Sequence, residues 1–247
     1  MEKSMQSNNI TIIIPARYAS TRLEGKPLLR AKGKTIIQWV YEKALQSKLA
    51  SDVIVATDDK RIFDEVESFG GKACMTSTEH KCGSDRLVEV LKKYENIEIA
   101  VNVQGDEPMI EPESIDSAIK VLVEDENADI STLIRKIDDE DEINNPNVVK
   151  AVKDNNGYAM YFSRSPIPYE RNKNIASTFA HIGLYVYKRD ALLKMSKLPQ
   201  SDLEKAESLE QLRALQNGMK IKTAIVNYKP VGIDTREDFE EFLKKVM

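Results

Sequence analysis

Three cations fall within ten residues directly after a short apolar run: Arg17, Arg22 and Lys26 follow Ile10–Ile14. Guanidinium forks and an ammonium in one loop suit a polyphosphate, which needs its charge neutralised and its oxygens held in fixed directions. The same loop read blandly is a solvated basic turn. It carries neither a Walker sequence nor Gly-x-Gly-x-x-Gly, which sets aside a P-loop ATPase and a dinucleotide oxidoreductase. A second segment, Val101-Asn-Val-Gln-Gly-Asp-Glu-Pro108, puts the Asp106 carboxylate just past another apolar run. A third, Val231-Gly-Ile-Asp-Thr235, offers Asp234. Taken singly, these are a Gly-Asp turn and a helix start. Paired across a cleft, two carboxylates make a site for magnesium, which takes one or two of them together with phosphate oxygens.

Such residues need rigid elements behind them, and the hydrophobic pattern supplies these. Ile10–Ile14 is β-branched, continuous and stopped by Pro15, as a buried parallel strand should be. A loop is expected over 16–34. Thr35 then caps a helix whose apolar face is Ile37, Val40, Tyr41 and Ala44. Strands over 53–56, 72–75, 97–103 and 128–134 alternate with helices over 60–69, 84–94 and 112–124. That alternation predicts an α/β chain with a mostly parallel sheet, whose ligands bind at the carboxyl ends of the strands. The loops after Ile14 and Val103 lie there. From Asp138 the rhythm breaks. Strands are expected over 148–153, 157–162, 181–187 and 220–226, with a helix over 203–217. A last helix capped by Thr235 should bury Phe239, Phe242, Leu243 and Val246. One body spanning 10–247 with a lobe at roughly 148–200 is expected, after a polar, disordered tail at 1–9.

Composition narrows the classes. With 31% charged and 41% hydrophobic residues, the 247-residue chain can bury a core without staples. No run of 18 uncharged apolar residues occurs, and no apolar signal segment precedes residue 10, so a cytoplasmic protein without a membrane partner is expected. A net charge of −4 argues against nucleic acid as partner. Two cysteines and two histidines make neither a disulfide framework nor a zinc site.

The strings IPARYASTRLEGKPL, IVATDD, GSDR, VNVQGDEP, NPNVVK, GYAMYFSRSPIP, HIGLYVY, SLEQLRAL and GIDT, in that order, resemble the 3-deoxy-manno-octulosonate (Kdo) cytidylyltransferases, or CMP-Kdo synthetases. The resemblance implies a nucleotidyltransferase-type three-layer sandwich with a smaller dimerisation lobe, a homodimer, and Mg2+ as cofactor. It implies transfer of CMP from CTP to Kdo for lipopolysaccharide synthesis. By the same resemblance Arg17, Arg22 and Lys26 hold the triphosphate and Asp106 and Asp234 hold the metal. Arg22, Lys26, Asp106 and Asp234 then carry the catalysis. Met75 and Ser84 lie by the cytosine and ribose, and Gln104, Arg164, His181, Tyr185, Glu210 and Gln211 face the sugar acid. The alternatives are a cytidylyltransferase for 8-amino-Kdo or sialic acid, or a nucleotide-binding regulator without catalysis. Ser208-Leu-Glu-Gln-Leu-Arg213 argues against the sialic-acid enzyme and Glu107 favours ordinary Kdo. Glu24 departs from the family, standing where proline is usual. It is expected to face solvent or pair with a neighbouring cation such as Lys26.

Overall fold

The structure is a computed structural model and describes residues 9–19, 22–80, 82–172 and 175–246. All of the tail but Asn9 lies outside the described residues. The chain divides into two compact units, residues 1–116 with 230–247, and residues 117–229.

The first unit is built on four parallel strands in the order β6–β1–β4–β5: β1 (Ile10–Ala16), β4 (Asp52–Thr57), β5 (Ala73–Met75) and β6 (Ile99–Asn102). Ile12, Ile13 and Ile14 are all fully buried, so β1 is covered on both faces and its continuous apolar run is explained. In register, Ile12 lies between Val53 and Val101. The neighbours β1 and β6 therefore end side by side, and the loops that follow them emerge next to each other. Helices α1 (Ile36–Ala44), α2 (Lys60–Ser68) and α3 (Gly83–Lys93) link these strands, and α4 (Pro112–Val123) carries the division between the units. Thr35 caps α1 as expected, its hydroxyl accepting from the Gln38 amide.

The expected loop over 16–34 is partly ordered. Pro27 sets a 3-10 turn at Lys26–Leu28, and Arg30–Ala31 (β2) pairs antiparallel with Lys34–Thr35 (β3). Gly25 enters that turn at φ 66°, where a Cβ would meet the Tyr18 ring at 3.1 Å. The last helix, α9 (Arg236–Val246), buries Phe239 and Phe242 against Ala31, Ile36 and Ile233, with Trp39 edge-on to Phe242.

The second unit holds β7 (Ile130–Ile137), β8 (Lys150–Lys153), β9 (Ala159–Ser163), β10 (Thr178–Lys188) and β11 (Ile221–Ile225). β7 pairs parallel with β11 and antiparallel with β10, while β8 runs antiparallel to both β9 and β10. Short helices lie between: α5 (Glu140–Asn144), α6 (Arg189–Met195), α7 (Asp202–Glu207) and α8 (Gln211–Gln216). The single helix expected over 203–217 is two. A capping box between Ser201 and Glu204 opens α7, and Ser208 in the left-handed region (φ 52°) ends it. The break lets buried Glu204 receive the Arg213 guanidinium from α8 at 2.8 Å. Arg213 is thus a buried partner and not part of a solvated helix face. Sequence periodicity missed α5 and α6 because each is too short to display it.

Candidate active site

Asp106 and Asp234 meet on one ammonium. Lys26 Nζ lies 2.7 Å from Asp106 Oδ2 and 3.1 Å from Asp234 Oδ1, and Arg22 Nη2 lies 3.1 Å from that same Asp234 oxygen. The lysine is mostly covered and the carboxylates are partly open, so the cluster faces a cleft. A cavity of ≈ 430 Å³ holds it, lined also by Arg17, Gln104 and Gly105 at the carboxyl ends of β1 and β6. A second hollow, ≈ 370 Å³, runs past Asn9 and Asp52 at the opposite ends of the strands, away from these groups.

Each group has a local reason for its place. Asp106 follows β6 in a turn that Gly105 alone permits: a Cβ there would stand 2.8 Å from the Pro15 carbonyl oxygen. Asp234 is brought alongside by one backbone bond, the Ile233 amide donating to the Asp106 carbonyl at 2.9 Å. The fully buried Ile233 side chain anchors that segment. The Asp238 carboxylate then accepts from the amides of Asp234 and Thr235 at 2.9 and 2.8 Å, while the Thr235 hydroxyl accepts from the Asp238 amide. Burial acts against ionisation of Asp238, but these amides prevail and hold its carboxyl below the ordinary carboxylate range. Asp238→Ala should therefore cost about 1 kcal/mol of stability, read from the urea midpoint.

Arg17 turns its guanidinium to the His80 carbonyl at 2.6 Å while lining the cavity. Met75, 40% exposed at the end of β5, and Ser84, buried in the first turn of α3, do not line it. The start of α3 is nonetheless close: a Cβ on Gly83 would stand 3.5 Å from Pro15, a lining residue. Glu24 is exposed and adds to the charge around Arg61, whose ion-pair partner is Asp59 at 2.7 Å. Arg61 stacks on the Tyr18 ring, 3.3 Å from its centroid.

Two oxygen donors already sharing one cation fit magnesium by chemistry. Among the described residues no cluster of three or more His, Cys, Asp or Glu converges, so a divalent ion would complete its shell with phosphate oxygens and water.

Five of the six expected sugar-facing residues belong to the second unit. His181 and Tyr185 project from the same face of β10, ring centroids 5.4 Å apart, with the Phe162 ring edge-on to His181 at 4.9 Å. Burial pushes the His181 imidazole down to about 3 and raises the Tyr185 phenol, which Glu210 raises further. Gln211 is buried, with no partner on its Nε2 among the described residues. Arg164 is clamped by two carbonyls, Nε donating to Glu207 at 2.7 Å and Nη1 to Pro146 at 3.0 Å. Its amide donates to the Glu207 carboxylate at 2.9 Å. Its own carbonyl, with those of Asn145 and Val148, accepts from the fully buried Lys150 ammonium. The guanidinium is left with Nη2 unpaired among the described residues, a fixed donor for an anion.

Sequence reasoning missed two residues of the first unit. Arg86, fully buried, donates to Asp58 at 2.7 Å and to the Thr76 hydroxyl, with its Nε unpartnered among the described residues. Asn102, at the end of β6, keeps a buried Oδ1 without a partner among the described residues. Opposite charges in Asp58-Asp59 and Asp85-Arg86 were the available signal for the first; Asn102 gave none.

A sequence model of the cytidylyltransferase family matches residues 11–221. A 3-deoxy-manno-octulosonate cytidylyltransferase of Fusobacterium nucleatum is 50% identical over 234 residues, covering 95% of each chain. One of Thermodesulfovibrio yellowstonii is 52% identical, over 92% of this chain and 94% of its own. The solved structure of a CMP:2-keto-3-deoxy-manno-octonic acid synthetase complexed with CTP superposes with a TM-score of 0.92 at 46% identity, over 96% of this chain and 98% of that one. The expected α/β fold with a mostly parallel sheet is the one it shares. With identity at this level over nearly the whole length, this chain belongs to the family of 3-deoxy-manno-octulosonate cytidylyltransferases.

Proposed function

We propose that this chain transfers CMP from CTP to 3-deoxy-manno-octulosonate and releases pyrophosphate, activating the sugar acid for lipopolysaccharide synthesis. The observation that carries the reading is the single ammonium of Lys26 shared by Asp106 and Asp234 at the carboxyl ends of β1 and β6. The anomeric hydroxyl oxygen of the sugar bonds to the α-phosphorus and gives up its proton to solvent, the bond to the β-phosphate oxygen breaks, and pyrophosphate departs with that electron pair. No covalent enzyme intermediate is needed, so positioning and charge stabilisation do the work. Arg17, Arg22 and Lys26 hold the triphosphate, and Arg22 and Lys26 neutralise the charge that grows on the leaving group. Asp106 and Asp234 would hold Mg2+. An ion held there would supply positive charge against the negative charge of the phosphates. Met75 and Ser84 lie toward the cytosine and ribose. Gln104, Arg164, His181, Tyr185, Glu210 and Gln211 receive the sugar acid, its carboxylate on the free edge of Arg164.

Homodimerisation through the lobe at 148–200 is supported by Met160, Tyr169 and Ile175, large apolar residues 64%, 88% and 78% exposed. No helix among the described residues is long and apolar enough to cross a membrane, and a CTP-dependent enzyme belongs in the cytoplasm.

Pyrophosphate release tests the assignment. It should require CTP and Kdo together, and fall to background with sialic acid or without sugar. Equal release with sialic acid would move the substrate assignment, and release without any sugar would remove the transferase. Glu24→Gln should leave the CTP KM within about threefold, because a solvent-exposed carboxylate is screened from the triphosphate.

A further inference from the structure

His181 and Tyr185 are four residues apart on β10. In a regular strand that spacing is about 13 Å, at about 3.3 Å per residue. Their rings nevertheless stand 5.4 Å apart. The cause is a bulge: Ile182 pairs with Leu133 and Tyr185 with Thr132, so Gly183 and Leu184 oppose no residue of β7. A bulge frees carbonyls from the ladder, and here one fully buried hydroxyl collects them. Thr132 Oγ1 lies 2.8 Å from the Leu184 carbonyl and 3.2 Å from that of Ile182. It also lies 2.9 Å from His181 Nε2.

Donor counting assigns the imidazole. A threonine hydroxyl has one proton, and two carbonyls compete for it. The contact with His181 is then made only if Nε2 carries a hydrogen and donates to Oγ1. His181 Nδ1 has no partner among the described residues, and the residue remains partly open to solvent.

We propose that Thr132 is a positioning residue for the sugar-acid subsite: it holds the bulge that pairs His181 with Tyr185, and it fixes His181 as the neutral Nε2–H tautomer. The Nδ1 lone pair is then the acceptor presented to a hydroxyl of the sugar acid. This rests on the reading above that His181 faces that substrate.

The chain has only two histidines, His80 and His181, so the 15N-histidine spectrum of the whole protein is readily assigned. Wild-type His181 should show the Nε2–H tautomer, and Kdo should shift its Nδ1 resonance while His80 stays put. Thr132→Val should lose the fixed tautomer and raise the KM for Kdo about tenfold, the loss of one hydrogen bond, with the CTP KM unchanged. Thr132→Ser should restore both. A wild-type Nδ1–H tautomer, or a Thr132→Val protein with unaltered tautomer and Kdo KM, overturns the proposal. The wild-type spectrum and the serine variant decide it even where the valine variant does not fold. If the tautomer depends on Thr132 but Kdo moves neither Nδ1 nor KM, the proposal also falls, and the fault lies in placing His181 against the sugar.

Discussion

Asp106→Asn and Asp234→Asn should each lower kcat by about 100-fold or more, the loss seen when one charge-stabilising group at a transition state is removed. Each carboxylate shares the Lys26 ammonium and lines the same cavity, so neither substitute can neutralise a cation as before. The fold should survive, because both side chains are partly exposed at a rim and the backbone bond from Ile233 to Asp106 does not involve them. Far-ultraviolet circular dichroism and urea midpoints check that, and single-turnover kinetics check the chemistry. A companion result follows from the ammonium's position. Lys26 occupies the place between the carboxylates that a divalent ion would take, so Lys26→Gln should bind Mn2+ more tightly without nucleotide, by electron spin resonance titration. Turnover should fall in the same protein. Near-normal kcat in either asparagine variant would remove that carboxylate from the site.

The second large effect is expected from an added methyl group. Gly105→Ala places a carbon 2.8 Å from the Pro15 carbonyl oxygen, with Ile14 at 3.5 Å and Ile37 at 3.7 Å behind it. The obstacle is backbone of a strand buried on both faces, so β1 does not yield and the turn holding Gln104 and Asp106 must. A displacement of about 1 Å in a positioning group costs about 100-fold in rate, and kcat/KM should fall by that order. The Lys26–Asp106 contact should lengthen, visible in a crystal structure of the variant. Unchanged kinetics would mean that the turn has slack the packing does not show.

The strand frame of the first unit was legible because its strands are buried on both faces. Val53–Ala56 is apolar without interruption and Ile10–Ile14 is broken only by the buried Thr11, although β1 runs on through Pro15 to Ala16, past the stop that the proline suggested. From parallel alternation alone the loops after β1 and β6 could be named as the place for ligands. Thr35 and Thr235 were read correctly as caps, since a hydroxyl before an apolar periodic run has one natural use. The second unit was harder for a physical reason. Its short helices give fewer than two turns of periodicity, and the break at Ser208 uses a left-handed serine where glycine would have announced it.

The bulge in β10 was invisible because HIGLYVY alternates as a regular strand would. Only the register against β7 shows that two residues are extra. Thr132 was missed with it: one threonine in an apolar strand gives no hint that it collects two carbonyls and a histidine. Glu24 is exposed beside the turn at Gly25, as its carboxylate between two cations suggested.

Phosphorus NMR of the running reaction tests the central claim most directly. With the purified protein, magnesium, CTP and Kdo, the three CTP resonances should decay together. One new phosphodiester resonance and pyrophosphate should grow at equal rates, and omission of Kdo or the Asp106→Asn substitution should abolish all three changes. CTP lost to CMP and pyrophosphate at the same rate with or without Kdo, or no loss of CTP at all, would contradict the assignment of this cleft to sugar-acid cytidylyl transfer.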